Sequence, residues 1–106
     1  MDQIEILILK NLLSNEEYAR KVLPFLKKEY FENTSQQIVY EEISKFITDY
    51  NKICSKEILC IEIENRKDVT DSSFKEIIEI VQNLEETSSE FEWIINTTEK
   101  WCRDRA

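Results

Sequence analysis

Apolar residues recur at three- and four-residue spacing along almost all of the 106 positions, the signature of amphipathic helices. Gln3 to Leu13 opens the pattern with a stripe of Ile4, Leu7, Ile8 and Leu12. Ile6, Leu9 and Leu13 are apolar as well, so this helix is expected to meet several neighbours or another subunit. A strand over Ile4–Leu9 is the alternative, but Lys10 to Leu13 carries the pattern past ordinary strand length. Ser14 with Glu17 reads as a capping box for a second helix from about Asn15 to Leu23, packing Tyr18, Ala19, Val22 and Leu23. Pro24, the single proline, breaks it. Phe25, Leu26, Tyr30 and Phe31 follow as a short turn with aromatic anchors.

The spacing then predicts a long third helix, capped by Thr34 or Ser35 and reaching Tyr50, with Val39, Ile43, Phe46, Ile47 and Tyr50 on its core face. Asn51–Lys52 ends it, and Ser55 caps a fourth helix through about Glu64. There Ile58, Leu59 and Ile63 face inward, and Glu57, Glu62 and Glu64 face water. After the polar link Asn65–Val69, Thr70 or Asp71 starts a fifth helix built on Phe74, Ile77, Ile78, Val81 and Leu84. Glu85–Ser88 interrupts, and Ser89 with Glu92 reads as a second capping box. The last helix holds Phe91, Ile94, Ile95, Thr98 and Cys102 and carries no stop signal before Ala106. The expected fold is all-α, a compact bundle of five to six helices forming one domain over residues 1–106.

Two absences narrow the chemistry. The chain has no glycine, where average usage would give roughly seven, and no histidine. Phosphate-cradling glycine loops are thereby excluded, as are Ser-His and Cys-His nucleophiles and histidine-containing metal sets. Cys54, Cys60 and Cys102 are odd in number, lack zinc-site spacing and read as free thiols, with Cys60 and Cys102 serving as small buried apolar residues. No apolar run nears the ~18 residues of a membrane span, and the expected compartment is the cytoplasm. Twenty-two acidic against 14 basic side chains give a net charge of −8, which opposes direct nucleic-acid binding.

The remaining candidates are weak as chemistry. Adjacent helical residues point about 100° apart, so Glu41–Glu42 and Glu85–Glu86 do not converge on a substrate and read as solvated faces. Tyr30, Phe31, Tyr40 and Tyr50 lack interleaved basic residues and read as packing rather than a stacking platform for single strands. Trp93 and Trp101 lie eight positions apart, about 80° around one helix, so Trp93 is a candidate for partial exposure and an interface anchor. The alternative is that both tryptophans simply enlarge the core.

The run Tyr18-Ala-Arg-Lys-Val-Leu-Pro-Phe-Leu, then Glu29-Tyr-Phe-Glu, then Ile38-Val-Tyr-Glu-Glu-Ile-Ser resembles the amino-terminal domain of DnaB-family replicative helicases, in the version of T-even-type phages. Trp93, Thr98-Glu-Lys and Arg105-Ala echo its last helix. The resemblance covers nearly the whole chain and rests on order and spacing rather than one diagnostic motif. It implies the collar of a hexameric, ATP-driven motor, with a RecA-like ATPase domain expected beyond Ala106. That collar pairs sister subunits and presents a surface to primase. The helix from Phe91 would be the start of a truncated helical hairpin used for pairing, which makes Phe91, Trp93, Trp101, Arg103 and Arg105 the candidate protein-interface residues. No catalytic, cofactor or metal residue follows; ATP and Mg belong to the motor domain. The glycines usual between the fourth and fifth helices of bacterial members are missing from Asn65–Asp71.

The expected function is therefore a non-catalytic interaction domain of a phage replicative helicase, monomeric or weakly dimeric alone, with sister subunits and primase as partners. The rival is a free-standing acidic helical protein acting as a DNA-mimic inhibitor or an adaptor. Lys10, Lys45, Lys56, Lys75 and Lys100 interrupt the acidic rows that DNA mimicry would need.

Overall fold

A computed structural model describes residues 3–106. Six α-helices follow one another: α1 (Gln3–Ser14), α2 (Glu16–Val22), α3 (Thr34–Tyr50), α4 (Lys56–Glu64), α5 (Asp71–Gln82) and α6 (Phe91–Arg105). Two short 3₁₀ turns, Leu23–Phe25 and Lys28–Tyr30, sit between α2 and α3. The described residues contain no strand, and Ile4–Leu9 is helical.

Helix α3 is the central element. It packs against α1, α4 and α5 and against the second 3₁₀ turn, while α6 leans mainly on α2. One continuous core runs through the bundle, from Ile8, Leu9 and Leu12 of α1 through Tyr18 and Val22 to Val39 and Ile43, and on to Leu59, Ile77, Val81 and Ile94. Burying such side chains is worth about 1.5–3 kcal/mol each before chain entropy is counted, and this burial holds short helices together. The radius of gyration is 13.0 Å, as a close-packed chain of this length requires.

Helix starts depart from the sequence expectation in three places. Asn15, not Ser14, caps α2 by accepting from the Tyr18 N–H; Ser14 is still helical and its Oγ accepts from the Thr87 N–H. Asn33, not Thr34 or Ser35, caps α3 by accepting from the Gln36 N–H. Glu90, not Ser89, caps α6 by accepting from the Glu92 and Trp93 N–H groups, while Ser89 Oγ accepts from Asn11. Each time the competing hydroxyl is one residue away and a tertiary partner or the helix itself takes it. Ser55 and Thr70 cap as expected, Thr70 in a reciprocal box with Ser73.

Helix stops show how a glycine-free chain turns. Asn51, Asn65 and Asn83 close α3, α4 and α5 in succession. Asn51 has φ 57°, the left-handed conformation that glycine usually supplies and that asparagine tolerates best among other residues. At Pro24 the chain tightens into the first 3₁₀ turn and then extends at Leu26, whose carbonyl accepts from the Tyr40 hydroxyl at 3.1 Å.

Candidate protein-interaction surface

Helix α6 carries all five residues expected at an interface, and helical geometry divides them. Ile94, Thr98, Trp101 and Cys102 face inward. Tyr18 and Thr98 tie α6 to α2 through a buried hydroxyl pair 2.8 Å apart, and Thr98 also donates to the Ile94 carbonyl. Desolvation raises the Tyr18 phenol above its ordinary range, which keeps it a neutral hydrogen-bonding group.

Trp93 points away from this face and is 51% exposed. Trp101 is buried, with Tyr30 edge-on at 6.0 Å and Phe31 tilted at 5.1 Å between ring centroids. That burial leaves Trp101 little surface to offer a partner. Its indole Nε1 has no hydrogen-bond partner among the described residues. Arg105 folds back over the Trp101 ring at 4.5 Å and donates to the Tyr30 carbonyl at 3.1 Å, so it fastens the end of α6 to the second 3₁₀ turn. Phe91 is half-buried with the Lys21 ammonium 5.9 Å above its ring. Arg103 is exposed and borders a cleft of about 350 Å³ with Phe25, Tyr30, Glu99, Cys102 and Ala106. Trp93 and Arg103 are thus the outward members of the set, and Trp101 and Arg105 the inward ones.

Other sequence candidates fall as follows. Phe31 and Tyr40 stack at 5.3 Å, yet both are buried, so this pair offers no platform to bases. Tyr50, expected on the core face of α3, is instead 64% exposed, because it lies at the helix end beyond the last buried turn. Ile58, expected inward on α4, is instead 37% exposed, since Leu59 and Ile63 claim that helix's buried side. Cys102 is buried as expected, but Cys60 is only half-buried and Cys54 takes the core position. Burial pushes the Cys54 and Cys102 thiols up to about 11, which removes them as nucleophiles near neutral pH. No cluster of acidic and cysteine side chains among the described residues could hold a metal ion.

Glu41 and Glu42 do not face water as a free acidic pair. Arg66 donates to Glu42 at 2.8 Å, to Glu41 at 3.3 Å and to both oxygens of Asp68 at 2.7 and 2.8 Å. This clamp ties the α4–α5 link to the middle of α3. The guanidinium also holds the Asp68 carboxyl below its usual range by direct hydrogen bonds. Nothing local to Arg66 in the sequence reports that Glu41 and Glu42 lie beside it.

A helical domain with an outward tryptophan on its last helix is what fold and site define. No protein-family profile matches the sequence. The DnaB-like replicative helicase of Enterobacteria phage T4 is 25% identical over 100 residues, covering 94% of this chain and 21% of the helicase. The chain therefore spans about one fifth of that relative's length and is distantly similar to a region of a phage replicative helicase. No helix among the described residues is long and apolar enough to cross a membrane.

Proposed function

We propose that this chain is the amino-terminal collar-type domain of a phage replicative helicase, a non-catalytic module that pairs subunits and contacts primase. The observation that carries this reading is the colinear similarity across 94% of the chain to a replicative helicase. The exposed Trp93 supports pairing through α6, because an aromatic half out of water on an otherwise polar helix face is a natural anchor for a partner. Arg103 adds a cationic group on that helix. The DNA-mimic alternative is disfavoured by the Arg66 clamp, which gathers three carboxylates around one guanidinium instead of spacing them like phosphates.

Sedimentation equilibrium over a wide concentration range tests the pairing. The expected result is a weak self-association that Trp93→Ala removes without changing helical content. A chain that stays monomeric at every concentration, or dimers indifferent to Trp93→Ala, would sink pairing through α6. For the second role, the purified chain is mixed with the primase encoded by the same phage and followed by size exclusion. Failure to co-elute at tens of micromolar would remove primase contact from the proposal.

A further inference from the structure

Among the described residues, four large hydrophobic side chains stand more than a third exposed: Tyr50, Ile58, Ile61 and Trp93. Three of these four belong to the consecutive helices α3 and α4. These two helices pack against each other, and Arg66, just past the end of α4, reaches Glu41 and Glu42 of α3, as an antiparallel pair requires. Phe46, Tyr50 and Asp49 of α3 share one shallow crease with Glu62 of α4. Ile58 lies one helical turn before Glu62 on the same side of α4, and Ile61, about 60° further round and opposite the buried Leu59 and Ile63, extends the apolar surface outward from the crease. Phe46 and Tyr50 are in ring contact, with centroids 4.7 Å apart, so the apolar strip continues up α3.

Single exposed hydrophobics are ordinary on any protein surface, but a contiguous strip with a charged rim marks an interaction site. Here the rim carries an acidic excess. Glu42, Asp49 and Glu62 line the crease together with Lys45, and Glu57 and Glu64 stand exposed along α4, against Lys52 and Lys56 at its start. Lys56 is turned away to the α5 end, where it donates to the Gln82 carbonyl at 3.1 Å. The whole chain reinforces this with its net charge of −8.

We propose that the crease between α3 and α4 is a docking surface for a basic amphipathic helix of a partner protein. Apolar side chains of that helix at three- and four-residue spacing would lie on Tyr50, Ile58 and Ile61, with flanking lysines or arginines meeting Asp49, Glu57, Glu62 and Glu64. This surface is built from different elements than the α6 pairing surface, and the proposal stands whether or not pairing through α6 is correct.

The test is a titration of the isotopically labelled chain, followed by amide chemical shifts at low ionic strength. The probe is a synthetic amphipathic peptide with leucine on one face and lysine on its flanks; its twin carries glutamate in place of every lysine. Shifts should concentrate on the second half of α3 and on α4 with the lysine peptide only. Ile58→Ser with Ile61→Ser should weaken that binding on the order of tenfold, since both are candidate anchors, and leave helical content unchanged because both are exposed. A charge-reversed chain, Glu57→Lys with Glu64→Lys, should transfer preference to the glutamate twin and provides a second handle if the serine variant misfolds. Equal binding of both peptides overturns the proposal, as do shifts centred on Trp93, or full affinity in the variants. Dilution-dependent shifts at Tyr50, Ile58 and Ile61 without peptide would overturn it in favour of a second copy of the chain.

Discussion

Arg66→Ala is the most informative single perturbation, because the structure predicts how its cost divides among three acidic partners. Glu42 is 7% exposed and lies 2.8 Å from the guanidinium, whereas Asp68 is 60% exposed and Glu41 34%. An exposed pair contributes about 0–1 kcal/mol, and removing one partner of a fully buried pair costs about 3–5 kcal/mol. Arg66 is 19% exposed, so water would partly reach Glu42 after truncation. The Glu42 share is then discounted to about 2 kcal/mol, for a total of about 2–3 kcal/mol. With a urea slope of about 1–2 kcal/mol/M for a domain of this size, the midpoint should fall by about 1–3 M. The assay is urea unfolding followed by helical circular dichroism at neutral pH. Asp68→Asn should cost far less than Arg66→Ala, because the Asp68 carboxylate is exposed and its pairing is screened by water. Adding Glu42→Gln to Arg66→Ala should recover part of the loss, because the stranded charge is gone. Equal costs for Asp68→Asn and Arg66→Ala, or no recovery in the double variant, would refute the assignment of the clamp's worth to Glu42.

Three further outcomes are expected. Trp101→Ala should cost about 3–5 kcal/mol in thermal unfolding as a core truncation, and Trp93→Ala should stay within about 0.5 kcal/mol, with acrylamide quenching mainly Trp93 fluorescence. Asn15→Ala and Asn33→Ala should each lower stability by about 1 kcal/mol through loss of a helix cap; Thr34→Ala, beside the Asn33 cap, should be nearly silent in the same urea assay. Stability should also fall under alkaline conditions. The folded thiols of Cys54 and Cys102 are raised to about 11, so their contribution is complete below the unfolded thiol pKa of about 8.5 and is lost as pH rises toward 11. The slope is up to about 1.4 kcal/mol per pH unit for each thiol, and Cys54→Ala should flatten it in a pH series of urea midpoints.

The number, order and approximate ends of the six helices were legible in the sequence, since a helix's apolar stripe is a local periodicity. Ser55, Thr70 and Asn51 were legible for the same reason: a cap satisfies backbone groups within one turn of itself. Counting angles around α6 left Trp93 either partly exposed or in the core, and the packing of the bundle decided for exposure. Tertiary structure decided the rest. Asn15, Asn33 and Glu90 won their caps over neighbouring hydroxyls, and two of the rejected serines were drawn into contacts more than seventy residues away. The Arg66 clamp was invisible because its partners Glu41 and Glu42 lie 25 and 24 residues back. The exposure of Tyr50 and Ile58 was equally hidden. Periodicity tells which side chains of one helix lie together, but a side chain is buried only where another element arrives to cover it, and that depends on how the whole chain packs.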